Sequence, residues 1–423
     1  MDVVSGLNPL SLHAAHIPYV AVPAHDEADR LPRLVRALSA QGRPLRLTVL
    51  LNNCSDASAA ALANALAEAP NVDGHGVAMT LPAPFANAGC ARRLALDAAR
   101  ARAVADGVPI GRLALLTTDA DAEPAPDWVA ANLAALDRGA DLVGGRISAF
   151  ADEEERLGAN VLVRARQLSA FQDDLTRIEC LIDPVPHDPW PRHHDTLGAS
   201  LAIRGSIYAR IGGAPVRAAA EDLALAEEVR LHGGNVRRCP GVRVTVSARI
   251  EGRAEGGMAQ TLRGWIEDAA RGRAMDVEAP WVSIARMYER ACLRRWFSAN
   301  GGRSANDGPL ANGGPFANGG PLANDEIRAN GGTTDTSRED AHLAAVARAS
   351  PSADAFVARL VPDAAVPRTV PQTVPLDVAT AWLARFEANP DRFRRDIAPT
   401  RRSARRSARI GHPAPLVPNP EVA

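Results

Sequence analysis

Leu113-Ala114-Leu115-Leu116-Thr117-Thr118-Asp119-Ala120-Asp121 is a short apolar run that ends in two acidic residues one apart. The run reads as a buried strand. An acidic pair at the end of such a strand can turn toward one bound cation. Aspartate oxygens are hard ligands suited to Mg²⁺ or Mn²⁺, and those ions bridge readily to phosphate oxygens. Taken alone, the pair is more readily a solvated turn or a helix N-cap. Its meaning therefore depends on the segments around it.

Outward from this strand, short apolar runs alternate with helical patterns from residue 17 to about 146. Ile17 to Pro23 reads as a first strand, followed by a helix over Leu31 to Leu38. Leu45 to Leu51 is a second strand, and an alanine-rich helix runs to about Ala67. A weaker strand lies near Gly76 to Met79, then a helix from about Ala88 to Ala105. After the strand at Leu113 a helix covers Asp127 to Arg138. This alternation implies an α/β fold with a mainly parallel sheet covered by helices on both faces. Ligands in such sheets bind beyond the carboxyl ends of the strands. The segments His25-Asp26-Glu27, Asn52-Asn53-Cys54-Ser55-Asp56 and Asp119-Ala120-Asp121 are then expected on one rim.

Beyond residue 150 the pattern loosens. A helix is expected near 152–175, then a Pro- and His-rich loop from Asp183 to Asp195. A strand over Leu197 to Ile203, a helix over Glu221 to His232 and a strand over Val242 to Val246 follow. From Ala299 an Ala-Asn pair returns every six residues as far as Ala329. A left-handed β-helix needs a branched aliphatic at a fixed place in each turn, and here that place holds Gly, Asn or Pro. The segment is read as a disordered repeat insertion. The expected organisation is an α/β domain over 1–275, a helical extension over 276–298 and a low-complexity linker over 299–335. A small helical region over 336–398 and a basic, proline-containing disordered tail over 399–423 complete it. The arginine run from Arg401 to Arg409 suits a solvated terminus, or a peripheral contact with an anionic membrane surface.

Composition narrows the classes. The formal charge is -1, with 48 basic and 49 acidic residues. No global basic field points to nucleic acid. Every basic residue other than histidine is arginine, which a GC-rich coding bias explains. The five cysteines show no paired or ligand-like spacing. That argues against a disulfide scaffold or zinc site and for a reducing compartment. With no signal-peptide pattern and no window of about 18 apolar residues, a soluble cytoplasmic protein is expected.

Together these segments resemble a family 2 glycosyltransferase of the GT-A fold, over roughly residues 16–275. Val22-Pro23-Ala24-His25-Asp26-Glu27 is similar to the family's opening segment, where a polar loop meets the nucleotide. Asn52-Asn53-Cys54-Ser55-Asp56 is similar to the second-strand segment. Asn87-Ala88-Gly89-Cys90-Ala91-Arg92-Arg93 is similar to the stretch opening the helix before the metal strand. Thr118 to Pro124 with Asp127-Trp128 matches the metal motif and its flank, and Glu221-Asp222 resembles the late Glu-Asp motif. The chain departs from the family where Asn52 or Asn53 stands for the usual Asp near the base. Gln260-Thr261-Leu262-Arg263-Gly264-Trp265 has one residue more than the motif of processive members. A single-transfer enzyme is therefore expected rather than a polymer synthase.

The resemblance implies an inverting transfer from a UDP- or GDP-linked sugar to an acceptor hydroxyl. In that picture Asp121 binds Mn²⁺ or Mg²⁺ directly, while Asp119 meets the ribose or metal-bound water. Asp222 is the candidate base, with Glu221 its neighbour. Without the resemblance, Glu221-Asp222 is simply an acidic pair at a helix start. Pro23, His25, Glu27, Asn52, Asn53, Asp56, Arg92, Asp119 and Ala120 are the candidate donor contacts. Arg92 and Arg93 either reach the diphosphate or are solvated on an early helical turn. Gly198-Ala199-Ser200 fits a close-approach strand edge under the sugar, or only packing.

The loop His187-Asp188-Pro189-Trp190-Pro191-Arg192-His193-His194-Asp195 concentrates unusual chemistry. Trp190, His193 and His194 are candidate acceptor contacts, with a proline-rich surface loop as the plainer account. The acceptor is a small molecule, a glycan or a lipid. Two other functions compete. A nucleotidyltransferase of similar fold would carry a glycine-rich loop with a basic residue after the first strand, where Ala24-His25-Asp26-Glu27 stands instead. A non-catalytic scaffold that keeps the fold and binds nucleotide-sugar is the other, and Asp119, Asp121 and Asp222 together speak against it.

Overall fold

Apolar residues alternate along the first strand with a period of two, and the two sets belong to different cores. In a computed structural model of the chain, residues 16–194, 198–252, 257–299, 343–361, 373–388 and 390 are described. Strand β1 (Ile17–Ala24) sends Val20, Val22 and Ala24 to one face of a sheet and Tyr19 and Ala21 to the other. β2 (Leu45–Asn52) and β4 (Leu113–Thr118) divide in the same way; Ala114 and Leu116 join the first core, Leu113 and Leu115 the second. A strand buried on both faces has no polar side, so it reads as an unbroken apolar run.

The first core is closed by α1 (Leu31–Ser39), α2 (Ser58–Ala67) and α4 (Trp128–Asp137). The second is closed by α3 (Ala88–Ala105), α7 (Gly205–Arg210) and α8 (Glu221–Leu231). The eight strands run in the order β3-β2-β1-β4-β7-β6-β8-β5. Here β3 is Val72–Met79, β5 Glu123–Pro124, β6 Leu142–Ala149, β7 Ser200–Arg204 and β8 Val236–Val246. This is the expected α/β sheet of GT-A type.

β1 to β4 pair in parallel, with Ala24 level with Leu51 and Ala21 with Thr117. The loops after β1, β2 and β4 therefore share one rim. β7 is antiparallel to both β4 and β6, and pairs Ser200 with Thr118. It starts at the rim where β4 ends. β8 lies parallel to β6, so its carboxyl end meets the same side.

Some expected elements differ in extent. The helix placed near 152–175 is two helices, α5 (Ala151–Arg156) and α6 (Ala159–Ile182), parted at Gly158 with φ +87°. A left-handed residue cannot continue a right-handed helix, and glycine adopts it without steric cost. The last strand starts six residues before Val242, at Val236. Its first half carries Arg237 and Arg238, whose polar side chains hide the apolar pattern.

After α9 (Met258–Ala270), a short pair β9 (Asp276–Glu278) and β10 (Thr373–Pro375) forms. Around it lie α10 (Pro280–Ala299), a helical stretch α11 at 343–348, α12 (Ala353–Leu360) and α13 (Leu376–Ala388). α10 and α13 share a core with Phe171, Ile178 and Ile182 of α6. Phe356 of α12 packs between Trp296 and Phe297 of α10, with ring centroids 5.5 and 5.2 Å away. The hexapeptide repeat beyond Ala299 and the basic tail lie outside the described residues. No described helix is long and apolar enough to cross a membrane.

Candidate active site

At the end of β4 a turn closes from Ala122 N–H to the Asp119 carbonyl, 3.2 Å. Ala120, at the middle of the acidic motif, points into the first core. The flanking carboxylates stay nearer the surface, with side-chain exposures of 37% for Asp119 and 18% for Asp121. Burial, and next the Asp119 charge, push the Asp121 carboxyl up to about 7 against the pull of Arg249. Negative charge is thus crowded into a poorly solvated corner. A hard divalent cation is the natural counter-charge for two such carboxylates, so the donor set fits Mg²⁺ or Mn²⁺.

Arg92 ties this corner to the far side of the rim. It donates from Nη2 to Asp119 Oδ1 (2.7 Å), from Nε to Glu221 Oε1 (3.2 Å) and from Nη1 to Thr117 Oγ1 (3.3 Å). Its side chain is 5% exposed. Burial works against the charge, but Asp119 and Glu221 outweigh it and hold Arg92 above the ordinary arginine range. The solvated reading of Arg92 is thereby replaced: it is a buried bridge between two acids. Arg93 instead pairs with Asp97 (2.6 Å) and donates to the Ala214 and Gly212 carbonyls.

Local sequence explains how α3 and α8 come so close. Asn87 caps α3, accepting from Cys90 N–H at 2.9 Å. A side chain at Gly89 would collide with the Arg217 carbonyl, so only glycine lets the α8 entry lie against α3. Ala220, just before α8, has φ +54°. Asp222 then sits beside the start of β7, where a Cβ on Gly198 would stand 2.8 Å from its Oδ2. Thr118 Oγ1 donates to the Ala199 carbonyl at 2.7 Å and pins that edge to β4.

The loops after β1 and β2 clasp each other. Asp26 Oδ1 accepts from the Ser55 and Asp56 amides at 2.6 and 3.1 Å, which holds its carboxyl below the usual range. Asp56 Oδ2 accepts from Ala28 N–H (3.0 Å) and its Oδ1 from Ser58 N–H (2.9 Å). Asp26, Cys54 and Asp56 offer ligand atoms within 4.8 Å of one another. Their atoms already serve this clasp. Asn53, with φ +51°, exchanges two bonds with the Leu81 backbone, from Nδ2 to the carbonyl (3.0 Å) and from the amide to Oδ1 (2.9 Å). Asn52 is 6% exposed and its buried Oδ1 accepts no hydrogen bond. His25 Nδ1 donates to the Asn52 carbonyl at 2.7 Å, and Pro23 is the penultimate residue of β1.

The motif pattern missed Arg249. Its Nη1 donates to Glu27 Oε2 at 2.9 Å, its Nη2 contacts Glu27 Oε1, and Nη2 lies 3.1 Å from Asp121 Oδ2. Arg30 of the β1–α1 loop pairs with Glu153 (2.6 Å), whose other oxygen accepts from Ser247 Oγ (2.6 Å) and Ala248 N–H (2.8 Å). Ser247, Ala248 and Arg249 follow β8. The rim rule, applied to the last strand as to the first, would have pointed to 247–249.

The His-rich loop is built into the fold. Asp188 binds Arg192 (3.1 Å), Arg237 (3.0 Å) and Arg238 (3.1 Å). His187 pairs with Asp354 of α12 at 3.0 Å. His193 is fully buried, with Nε2 donating to the Gly144 carbonyl at 3.0 Å, and His194 Nδ1 donates to Asp173 at 2.8 Å. Of the three candidate acceptor contacts, Trp190 alone presents an exposed ring, at 49%. Asp195 lies outside the described residues.

A mostly parallel, helix-flanked sheet with an acidic pair beyond its central strand is the arrangement expected of a GT-A glycosyltransferase. Residues 19–182 match the model described as Glycosyl transferase family 2, and this part of the chain is a glycosyltransferase domain of that family. The match ends before β7 and α8, so Glu221 and Asp222 lie outside it. No curated protein sequence matches the chain.

Solved structures similar to the chain include three glycosyltransferase-fold examples. Mannosyltransferase PcManGT from Pyrobaculum calidifontis, in complex with GDP-Man and Mn²⁺, is 17% identical with a TM-score of 0.38, over 88% of this chain and 80% of that one. S. aureus TarS 1-349 with UDP is 13% identical with a TM-score of 0.37, over 69% and 76%. Glucosyl-3-phosphoglycerate synthase from Mycobacterium tuberculosis, with Mn²⁺, UDP and phosphoglyceric acid, is 14% identical with a TM-score of 0.34, over 63% and 84%. Similarity this slight leaves donor and acceptor to be read from this chain's own residues.

Proposed function

We propose that the chain is an inverting, metal-dependent glycosyltransferase that moves one sugar from a UDP- or GDP-linked donor to an acceptor hydroxyl. The observation that carries this reading is the Arg92 bridge, which joins an acid of the β4 rim to an acid of the α8 entry. In this reading the bridge ties the proposed metal corner to the helix start that carries the candidate base.

A divalent cation held by Asp121, with Asp119 beside it, would neutralise the charge that builds on the leaving diphosphate. Asp222, beside Gly198, is assigned to take the acceptor hydroxyl's proton as it attacks the anomeric carbon. Glu221, held by Arg92, orients that carboxylate rather than acting itself. Attack from the face opposite the leaving group inverts the anomeric configuration. The uncommitted Asn52 Oδ1 is assigned to the base, accepting from a uracil or guanine ring N–H. Asn53 and Asp56 serve the loops that position it. Trp190 remains an acceptor contact in this proposal, as an exposed ring able to stack on a sugar.

Calorimetric titration of UDP and GDP, with and without Mn²⁺, into wild type and Asp121→Ala tests the reading. Metal-dependent binding of one diphosphate, lost in the variant, is the expected result. Binding of neither diphosphate in any condition would overturn it.

A further inference from the structure

Asp121 does not face its corner alone. The Arg249 guanidinium grips Glu27 through both carboxylate oxygens and reaches Asp121 Oδ2 at 3.1 Å. Glu27 is itself anchored: its side chain is 8% exposed, its N–H donates to Ser58 Oγ at 2.8 Å, and its carbonyl accepts from Arg30 and Leu31 at 3.0 Å. A planar guanidinium on such a fork is pre-organised and does not drift. The Glu27 hydrogen bond, with Asp121 adding to it, holds Arg249 above the ordinary arginine range, so it stays charged.

We infer that Arg249 is a positioning residue that occupies Asp121 until a divalent cation and a nucleoside diphosphate arrive together, an inference that rests on the donor-site reading above. A cation and a guanidinium repel each other on one poorly solvated carboxylate, so the cation must displace Nη2 from Asp121. Only that contact is lost. The fork on Glu27 survives and keeps the guanidinium at the corner, now with an N–H left without its carboxylate. A diphosphate oxygen is an acceptor of the right charge for it. Cation alone therefore binds against Arg249, whereas cation with diphosphate binds with its help. Coupling of this kind is reciprocal, each ligand raising the other's affinity by the same factor.

The test is titration of Mn²⁺ alone into wild type and Arg249→Gln, with free Mn²⁺ followed by its paramagnetic resonance signal, then repeated at saturating UDP and GDP. The expected result is that Arg249→Gln binds Mn²⁺ alone about tenfold more tightly, while the gain from diphosphate shrinks by a similar factor. Unchanged or weaker Mn²⁺ binding with an undiminished gain would overturn the inference. Arg249→Lys keeps the charge without the fork and is expected to fall between the two. It carries the test if Arg249→Gln does not fold, and affinities equal to wild type would then overturn the inference. Wild type whose Mn²⁺–diphosphate binding is lost in Asp121→Ala, beside an unaltered Arg249→Gln, defeats this inference and spares the donor site. Wild type that binds no Mn²⁺ with either diphosphate defeats both.

Discussion

A methyl group on Gly198 would stand 2.8 Å from Asp222 Oδ2, closer than a carbon and an oxygen tolerate. Gly198→Ala is therefore expected to turn the candidate base away from the acceptor. A displacement of about 1 Å costs roughly 100-fold in rate. Turnover should fall by about that factor while Mn²⁺-dependent diphosphate binding, measured by calorimetry, is unchanged. Equal loss of both would mean that Gly198 serves the donor instead. Arg92→Gln is different in kind, because it strips the shared cation from Asp119 and Glu221. Removing one partner of a buried pair costs about 3 kcal/mol, at the lower end because Asp119 is partly exposed. Urea melts of wild type and variant check this, and an unchanged midpoint would refute it.

At the scale of elements, the rim holds strain in a telling place. Among the described residues, the non-glycine residues with positive φ are Asp26, Asn53 and Ala220. They lie after β1, after β2 and before α8, at the three entries to the proposed site. Asp and Asn tolerate the left-handed region, Ala less so, and such strain persists where surrounding contacts over-determine it. The C-terminal helices show the opposite economy, with aromatic side chains doing the docking. Phe356 is fully buried between Trp296 and Phe297. Phe356→Ala is expected to cost about 3–5 kcal/mol. Amide exchange in α12 and the end of α10 should quicken first, with β1 and β4 least affected. Uniform loss of protection would show that the helices and the sheet unfold as one unit.

For the whole molecule, the contact between sheet domain and C-terminal helices is ionic as well as apolar. Glu179 lies among Arg192 (2.7 Å), Arg238 (2.9 Å) and Arg290 (3.9 Å), and Arg294 joins Asp183 (3.0 Å) to Asp354. Burial raises the Glu179 carboxyl, but its arginines, Arg238 foremost, outweigh that and bring it to about 2. Asp354 and Asp188 are likewise held low against burial, by Arg294 and Arg238 foremost. Carboxyls depressed on folding contribute stability that is present above the unfolded pKa and lost as pH falls through the folded one. Asp183, pushed up by burial, works the other way and offsets part of this. Docking of α12 should therefore weaken as pH drops from about 4 toward 2. Exchange-rate measurements on α12 across that range check the sign, and greater protection in acid would contradict it.

Much of this molecule was legible along the chain. Period-two burial in β1, β2 and β4 needs only the apolar pattern, and an acidic pair after such a strand needs only residue order. Parallel pairing then puts the loops on one rim, since parallel strands end on the same side. Three things required the tertiary structure. Arg92 could not be told from a solvated arginine, because Asp119 and Glu221 are 27 and 129 positions away from it in sequence. Arg249 joins Glu27 from 222 positions off. The histidines of the 187–194 loop look like ligands in sequence, yet folding spends His193 and His194 on a β6 carbonyl and an α6 carboxylate. Local order determines which chemical groups a chain carries and how its strands alternate. Which charges neutralise one another is decided only when the fold brings distant residues within hydrogen-bond range, where removal from water makes the pairing obligatory.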